Sequence, residues 1–493
     1  MRIERNILIN FFFLKMMLLE YRDKLGEYIG EKIGAPGNQI SLIVTMLCVI
    51  PFCFLNYLIH GKNPRLIYSL LVGFLFQVSI YKYNTIHILI STLFTYLFIQ
   101  YFGRKVTAYY VFIFSFIHLS YLHIRRLFDD YGGWTIDDPT TIYMMSICKF
   151  SSLAFSYEDG GKDESELKNN HHKEYRIKEK PSLLEVLSFV YFYPTAIVGP
   201  SIEFKDFINF IKETDCYSNL DKNLPYISKS GLNYFLGSFV AMAYYAIISN
   251  KLPVEALVKE EFGKHNLLYI LAYIYVCIPG VRARYYAGWI LSYSTLIFSG
   301  LSYTEKEKEG KIIRSLDKGC YGTITLVEWC INPKIVLTEW NKTIHLWLKY
   351  NVYTRLINIE RKPFKNNWAL SSLLTFMASA LWHGYYWTYY YTFISIYFYQ
   401  SGCLIFDKVG LYDWIYKTKF LIPLASAFNS LAFETVGVLF FNIEWSKGVI
   451  ALKNMRYYPI YVCLGTFVIS KFIKVPKKED KPKIIIEKEK KVE

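Results

Sequence analysis

Long apolar blocks alternate with short polar stretches along most of the chain. Several blocks reach the roughly 20 residues that a transmembrane helix needs, and backbone groups in lipid must pair within a helix. The pattern predicts an all-α, polytopic integral membrane protein with roughly ten to twelve transmembrane or re-entrant helices. The apolar blocks lie near residues 41–59, 66–81, 86–102, 107–121, 185–200, 231–249, 266–280, 286–302, 368–400, 418–442 and 456–473.

Polar segments divide the chain into three parts. Residues 1–40 begin with a short apolar run that contains Glu4 and no small-residue cleavage site, which favours an interfacial segment over a cleaved signal. We predict a membrane domain over 41–475 and a Lys-rich cytosolic tail over 476–493. The tail ends in Lys490, Lys491, Val492 and Glu493, which resembles a dilysine retrieval signal of the endoplasmic reticulum membrane or is a chance ending.

Two charged stretches inside the membrane domain are predicted to be loops. The first, 157–181, is predicted to be partly disordered because it has few apolar residues, and it contains the pair His171 and His172. We expect this pair to be solvated rather than to bind a metal. The second charged loop covers 303–318.

Composition supports the membrane interpretation. The 493 residues are 53% hydrophobic and 20% charged, against about 45–50% and about 25% in soluble proteins. A soluble globular enzyme, a disordered chain and a fibrous repeat are excluded. The net charge of +15 matches Lys- and Arg-rich cytosolic loops, so we predict no nucleic-acid partner. The nine cysteines are scattered, which predicts neither a zinc site nor a disulfide framework.

One histidine stands out inside an apolar block. The block 368–400 contains no Asp, Glu, Lys or Arg, and His383 is its only group that titrates near neutral pH. A straight helix of this length would be about 50 Å long against a hydrocarbon core of roughly 30 Å, so the block is tilted, broken or turned back. Gly384 is a natural break. His383 is a structural histidine bonded to a neighbouring helix, or a general base that faces a protein cavity.

A second candidate lies in 338–356. At helical spacing Trp340, Ile344, Trp347 and Leu348 share one face, and Asn341 lies on another with His345. A buried Asn needs hydrogen-bond partners. Asn341 is therefore a helix-contact residue, or it orients a catalytic histidine or holds a substrate carbonyl.

A basic run follows this segment. It is a solvated cytosolic loop, or it docks a polyphosphate headgroup such as that of coenzyme A. Its members are Lys349, Arg355, Arg361, Lys362 and Lys365.

These residues resemble the motifs of the membrane-bound O-acyltransferases, in the lysophospholipid acyltransferase branch. The Trp340-Asn341 pair is similar to the asparagine motif of the family, and Trp382-His383-Gly384 to its histidine motif. Glu328, twelve positions before Trp340, and Trp347 fit the same branch. Further similar segments follow in the expected order: GGWTIDDP at 132–139, LAFSYEDG at 153–160, PSLLE at 181–185, YFYPTAIVGPSIEF at 191–204 and RARYYAGWILS at 282–292.

The resemblance implies helices that enclose a catalytic tunnel, with Asn341 and His383 as the active pair. It implies acyl-CoA as a co-substrate, a lysophospholipid as acceptor and no cofactor or metal. Trp340, Trp347, Trp382, Glu328 and Tyr389 are then substrate-binding residues, and Lys349, Arg355, Lys362 and Lys365 hold the acyl-CoA headgroup. The sequence departs from the family after Gly384: relatives often have Pro-Gly-Tyr where this chain has Trp387, Thr388 and Tyr389, so only Tyr389 matches.

Two other functions remain as alternatives. The first is an acyltransferase of the same superfamily that acts on a sterol, diacylglycerol or a protein, against which the upstream segments argue. The second is a non-enzymatic transporter, which has no use for a lone histidine at a Trp-His-Gly break. The sequence predicts a multi-pass protein of the endoplasmic reticulum membrane and leaves its oligomeric state open.

Overall fold

The computed structural model describes residues 20–32, 37–130, 135, 137–365 and 367–475. Within these ranges nearly all regular structure is helical. The predicted interfacial segment lies largely outside the described residues, and the tail with Lys490 and Lys491 lies wholly outside them. The helices are α1 (20–32), α2 (Gly37–Leu55), α3 (Lys62–Tyr81), α4 (Ile86–Tyr101), α5 (Arg104–Asp130), α6 (Pro139–Asp159), α7 (Asn170–Tyr175), α8 (Leu183–Val190), α9 (Phe204–Lys212), α10 (Leu220–Lys251), α11 (Leu267–Ser299), α12 (Ile324–Glu328), α13 (Pro333–Glu339), α14 (Lys342–Leu348), α15 (Thr354–Ile357), α16 (Trp368–His383), α17 (Trp387–Lys408), α18 (Leu411–Lys417), α19 (Ile422–Phe441), α20 (Trp445–Asn454) and α21 (Tyr458–Lys471).

Six helical segments among the described residues are long and apolar enough to span a membrane. They confirm the all-helical, polytopic membrane architecture, because each offers lipid an apolar surface and satisfies its own backbone groups. The predicted total of ten to twelve, the tunnel and the domain boundaries stay predictions. The six segments are Gly37–Leu58, Lys62–Tyr101, Arg104–Asp129, Leu220–Val258, Leu267–Ser299 and Lys419–Phe441.

Three of the predicted blocks differ from the structure. The blocks 266–280 and 286–302 form one continuous helix, α11, which carries Arg282 in its interior. The block 185–200 is not a span, since α8 ends at Val190 and is followed by a short turn at Tyr193–Thr195. Proline at 194 and 200 removes backbone donors, which prevents this block from continuing as one helix.

The main core is built mostly from residues between Met46 and Tyr303. Helix α10 packs along α11, α5 packs on α6, and α2 lies against α11. Buried side chains from these elements and from α8 and α9 form one large apolar cluster that also includes Trp347 and Trp382. A smaller cluster joins α17, α18, α19 and α21. Trp347 of α14 and Trp382 of α16, two of the predicted substrate-binding residues, therefore belong to the core.

The predicted charged loop at 303–318 is wrong, because this segment forms an antiparallel hairpin. Strand β1 (Tyr303–Lys308) pairs with β2 (Lys311–Leu316). The connecting residues Glu309 and Gly310 both have positive φ, 55° and 71°. Two such residues match the right-handed twist of paired strands, so the turn fixes the hairpin despite the charges.

The prediction that the histidine pair in 157–181 is solvated is also wrong, whereas 160–169 and 176–181 do form loops. Helix α7 begins inside this segment, and His172 is only 8% exposed. The ring of His171 stacks on Tyr350 with centroids 3.8 Å apart, and His172 Nε2 donates to the Tyr350 carbonyl over 3.0 Å. Aromatic stacking against the segment that follows α14 buries the pair, which charge content alone did not reveal.

Candidate active site

The apolar block 368–400 is broken at the position that the sequence predicts. Helix α16 ends at His383, and α17 starts at Trp387. Gly384 between them has φ 127° and ψ −169°, a conformation that residues with a side chain avoid. The Gly384 N–H donates to the Ala380 carbonyl over 3.1 Å and closes the last turn of α16. His383 therefore stands at a helix end inside the protein.

Aromatic rings surround His383. Its ring lies 4.7 Å from Trp382, 5.3 Å from Phe393 and 5.6 Å from Tyr389, measured between centroids. Phe440 of α19 stands edge-on at 5.0 Å. Among the described residues no hydrogen bond joins a ring nitrogen of His383 to a neighbouring helix, and the general-base role stays a prediction.

Helix α5 supports the turn after His383. His123 Nε2 donates to the Trp382 carbonyl over 3.0 Å, and the Tyr385 hydroxyl donates to Ser120 Oγ over 2.7 Å. Neither residue was predicted as part of the site: Ser120 lies near the end of the predicted apolar block 107–121, and His123 lies just beyond it. A histidine on the flank of an apolar helix is the signal that could have identified His123.

Asn341 lies at a second break, which corrects the single helix predicted over 338–356. Helix α13 ends at Glu339, and Asn341 precedes α14 with φ 47° and ψ 58°. Asn is one of the few residues that tolerate this left-handed conformation. Its carbonyl accepts the N–H groups of Ile344 and His345, each over 3.0 Å. Burial, together with the nearby Lys349 cation, lowers the pKa of His345 to about 4.

Asn341 is one of the residues that line a small cavity. Met145, Trp289 and the Gly199-Pro200 pair are among the residues that line it. In the part of the chain that the structure describes, the Asn341 side chain makes no capping hydrogen bond to α14. A carboxamide has two N–H donors and one oxygen acceptor for a ligand in the cavity.

Trp340, Trp347 and Trp382, the three predicted substrate-binding tryptophans, do not lie on the same side of the site. Trp340 packs on α11, 4.9 Å from Trp289 and 5.7 Å from Tyr286 between ring centroids. Trp347 is on the opposite side of the break, where its Nε1 donates to Ser151 Oγ over 2.8 Å. Trp382 lies 6.4 Å from Trp347. The shared face predicted for Trp340 and Trp347 is wrong because the break at Asn341 turns the chain between them.

A continuous run of aromatic rings connects the surroundings of His383 with those of Asn341. Phe440, which touches His383, lies 5.5 Å from Phe441. Phe441 lies 5.9 Å from Tyr285, and Tyr285 lies 6.2 Å from Trp340, the residue before Asn341. The two predicted active residues therefore border one aromatic region formed by α11, α16, α17 and α19.

Glu328 is engaged in an ion pair rather than free in a cavity. Arg282 Nε donates to Glu328 Oε1 over 2.9 Å, and Arg282 also reaches Glu434 Oε1 at 3.2 Å. The Tyr286 hydroxyl donates to Glu328 Oε1 over 2.6 Å. Because Tyr286 contacts Trp340, Glu328 supports the wall of the site through Tyr286.

The predicted headgroup cations fall into two groups. Arg355 Nη2 lies 2.8 Å from Asp159 Oδ2, and burial tends to raise the pKa of Asp159 while the hydrogen bond and charge of Arg355 lower it below its ordinary value. Lys349, Lys362 and Lys365 are exposed. Arg355 therefore holds α15 against α6, and the three lysines remain accessible to an anionic ligand. Among the described side chains no group of three or more His, Cys, Asp or Glu converges to hold a metal ion.

His383 and Asn341 border one aromatic region of a helical membrane protein. An imidazole and a carboxamide are the kinds of group that proton abstraction and carbonyl binding require. The model of the membrane-bound O-acyltransferase family matches residues 78–409, and the chain belongs to this family. It is thus an integral membrane O-acyltransferase. The matched range contains both Asn341 and His383.

Curated relatives agree with this assignment. The chain is 30% identical over 338 residues to the lysophospholipid acyltransferase of Saccharomyces cerevisiae, covering 65% of this chain and 54% of that protein. It is 28% identical over 391 residues to membrane-bound glycerophospholipid O-acyltransferase 1 of Mus musculus, covering 74% and 75%. It is 28% identical over 389 residues to the lysophospholipid acyltransferase of Schizosaccharomyces pombe, covering 76% and 73%. The chain spans about half the length of the S. cerevisiae relative.

Proposed function

We propose that this O-acyltransferase transfers a fatty acyl group from acyl-CoA to the free hydroxyl of a lysophospholipid. The observation that carries the proposal is the imidazole of His383, which stands unbonded at a helix break among aromatic rings. The names of the relatives support the choice of a lysophospholipid as acceptor. We assign His383 as the general base and Asn341 as the orienting residue.

The proposed reaction needs no nucleophile from the protein, because the donor is already a thioester. A nitrogen of His383 removes the proton of the lysophospholipid hydroxyl while the hydroxyl oxygen attacks the thioester carbonyl carbon. The new carbon–oxygen bond forms, the carbon–sulfur bond breaks, and the sulfur takes the proton from His383. Coenzyme A leaves as the thiol, and His383 returns neutral for the next turnover.

Asn341 supplies the polar half of the site. Its amide N–H groups suit the carbonyl oxygen on which negative charge develops during attack, and its amide oxygen suits the acceptor hydroxyl. Asn341 has a left-handed backbone and lines the same small cavity as Met145 and Trp289, which supports this role. Either contact would hold one reactant in line with the other.

Aromatic side chains form the apolar part of the proposed site. Trp382 and Tyr389 contact His383 directly, and Trp347 packs behind Trp382. Trp340 walls the region near Asn341. Each methylene of the acyl chain that such a region removes from water contributes about 0.8 kcal/mol to binding. A tunnel of this chemistry would hold the acyl chain and exclude water from the thioester.

The phosphates of coenzyme A are assigned to Lys349, Lys362 and Lys365. These lysines are exposed near the start of α16 and at the end of α14, on a charged side of the protein where a soluble anion can approach. Arg355 contributes by anchoring α15 through Asp159. We further propose that the protein resides in the endoplasmic reticulum membrane.

A substrate panel tests the proposal. Purified wild-type protein is given acyl-CoA with lysophospholipids of several headgroups, a sterol, diacylglycerol or a peptide, and both free thiol and acylated product are measured. The proposal predicts equal amounts of thiol and diacyl phospholipid with at least one lysophospholipid. Product from only a sterol, diacylglycerol or peptide identifies the alternative acceptor, and an absence of any thioester-dependent product contradicts the enzyme assignment.

A further inference from the structure

His123 is a buried histidine outside the predicted active pair. It lies on α5 with 2% of its surface exposed, and its Nε2 is 3.0 Å from the Trp382 carbonyl. A carbonyl oxygen only accepts, so the proton must be on Nε2 and the lone pair on Nδ1. Nδ1 is buried and has no hydrogen-bond partner among the described residues.

The Trp382 carbonyl belongs to the last turn of a helix, where carbonyls lack partners within the helix. Gly384 N–H serves Ala380 and Leu381, at 3.1 and 3.2 Å. The Trp382 carbonyl would therefore be unpaired in an apolar interior if α5 did not provide a donor. His123 provides it, and the peptide plane held in this way is the one that joins Trp382 to His383.

The His123 ring also packs against Gly384, the residue that follows His383. A Cβ placed on Gly384 would lie 3.2 Å from His123 Nδ1 and 3.5 Å from its Cε1. His123 thus contacts the backbone both before and after His383. With the Trp382 peptide held and Gly384 packed against a ring, the direction of the His383 Cα–Cβ bond is determined by α5.

We propose that His123 is a positioning residue for His383: it holds the Trp382 carbonyl and packs on Gly384, and so aims the imidazole of His383 at the reacting hydroxyl. This inference rests on the proposed function. A general base must be within hydrogen-bond reach of its proton, and a displacement of about 1 Å can lower a rate about a hundredfold. The role of His123 therefore concerns kcat rather than substrate affinity.

Two amide substitutions of His123 separate the effect of its hydrogen bond from the effect of its side-chain volume. The amide nitrogen of Gln reaches the place of His Nε2, whereas that of Asn reaches only the place of Nδ1. We expect His123→Gln to keep kcat within about threefold of wild type, and His123→Asn to lower kcat about ten- to a hundredfold while the KM for acyl-CoA changes less than about twofold. Rates are normalised to the amount of folded, monodisperse protein.

His118→Phe is the matched control on the same helix. His118 is also buried, but it bonds Ser91 Oγ and His87 Nδ1, each at 3.0 Å, and does not contact the turn after α16. We expect its normalised kcat to stay within about twofold of wild type. If His118→Phe loses as much kcat as His123→Asn, the loss reflects a damaged α5 and the positioning role is wrong.

The remaining outcomes also decide the matter. A wild-type kcat in His123→Asn overturns the inference. A tenfold loss of kcat in His123→Gln also overturns it. If the Asn variant does not fold, the kcat of the Gln variant alone decides. His383→Ala is measured in parallel. Loss of activity in His383→Ala with none in His123→Asn rejects only the positioning role, whereas full activity in His383→Ala rejects the proposed function.

Discussion

The ring of Phe440 stands perpendicular to the ring of His383, with 5.0 Å between their centroids. Phe440 belongs to α19, and His383 ends α16, so a third helix closes the surroundings of the candidate base. The position of α19 depends in turn on Glu434, which pairs with Arg282 of α11. The geometry of the site is therefore tied to a buried charge cluster outside it.

Arg282→Met tests this dependence. The change leaves Glu328 and Glu434 buried without their cation, and breaking a buried pair in this way destabilises a protein by roughly 3–5 kcal/mol. We expect a lower thermal midpoint in detergent and less folded protein. Arg284→Met is the control two residues away, because Arg284 is exposed and forms no ion pair within the described residues. Equal midpoints for the two variants would contradict the structural role of Arg282.

Asn341→Gly separates the amide from the backbone. Glycine adopts φ 47° without strain, so this variant should fold as well as wild type and lose about a hundredfold in kcat through loss of the amide. Asn341→Ala loses the amide as well and pays roughly 1–2 kcal/mol for the left-handed backbone. Rates and thermal midpoints of both purified variants check this. Near-normal turnover in the Gly variant would show that the amide does not take part.

Gly384→Ala is expected to disturb the turn that carries His383. A side chain at φ 127° is strained, and its Cβ would lie 3.2 Å from His123 Nδ1. We expect destabilisation by more than about 1 kcal/mol and a lower kcat. Gly237→Ala in α10 is the matched change, since no atom lies within 4 Å of the added Cβ, and it should not lower stability. A Gly384→Ala enzyme with wild-type midpoint and kcat would refute the requirement for glycine.

The double change Lys362→Glu and Lys365→Glu addresses the coenzyme A headgroup. Both lysines are exposed, so we expect the KM for acyl-CoA to rise roughly three- to tenfold at low salt, with little effect on kcat or folding. The matched double change to Arg keeps the charge and should keep KM. With an acyl-pantetheine donor, which lacks the nucleotide phosphates, the Glu variant should equal wild type. A KM increase that persists with this donor would place the lysines elsewhere in the mechanism.

The sequence was sufficient to predict the helical membrane fold and the break at Gly384. Both follow from local features: apolar blocks of membrane-spanning length, and a glycine after the only group of its block that titrates near neutral pH. The break at Asn341 was missed because helical spacing of apolar residues continues across it, although the chain turns there. Periodicity does not report a left-handed residue whose conformation is set by contacts such as the bond from Lys342 N–H to the Tyr321 carbonyl.

Long-range pairing accounts for the other differences. Arg355 resembles a free cation in the sequence, but Asp159 lies far away in the chain and binds it. Glu328 and His172 are similar cases, since their partners Arg282 and Tyr350 come from separate helices or turns. The hairpin at 303–316 was missed for a local reason. Its many charged residues favoured a loop prediction, although Glu309-Gly310 is a typical hairpin turn. Residues far apart in sequence pair only once the fold brings them together.

The most direct test of the central claim is acyl transfer by purified His383→Ala compared with wild type at equal amounts of folded protein. Transfer of labelled acyl groups from acyl-CoA to a lysophospholipid is followed together with thiol release. The account predicts that His383→Ala loses at least about a hundredfold in rate, because a general base contributes on the order of 10²–10⁴-fold, while its thermal midpoint stays near that of wild type. A correctly folded His383→Ala enzyme that forms diacyl phospholipid at a rate near wild type would contradict it.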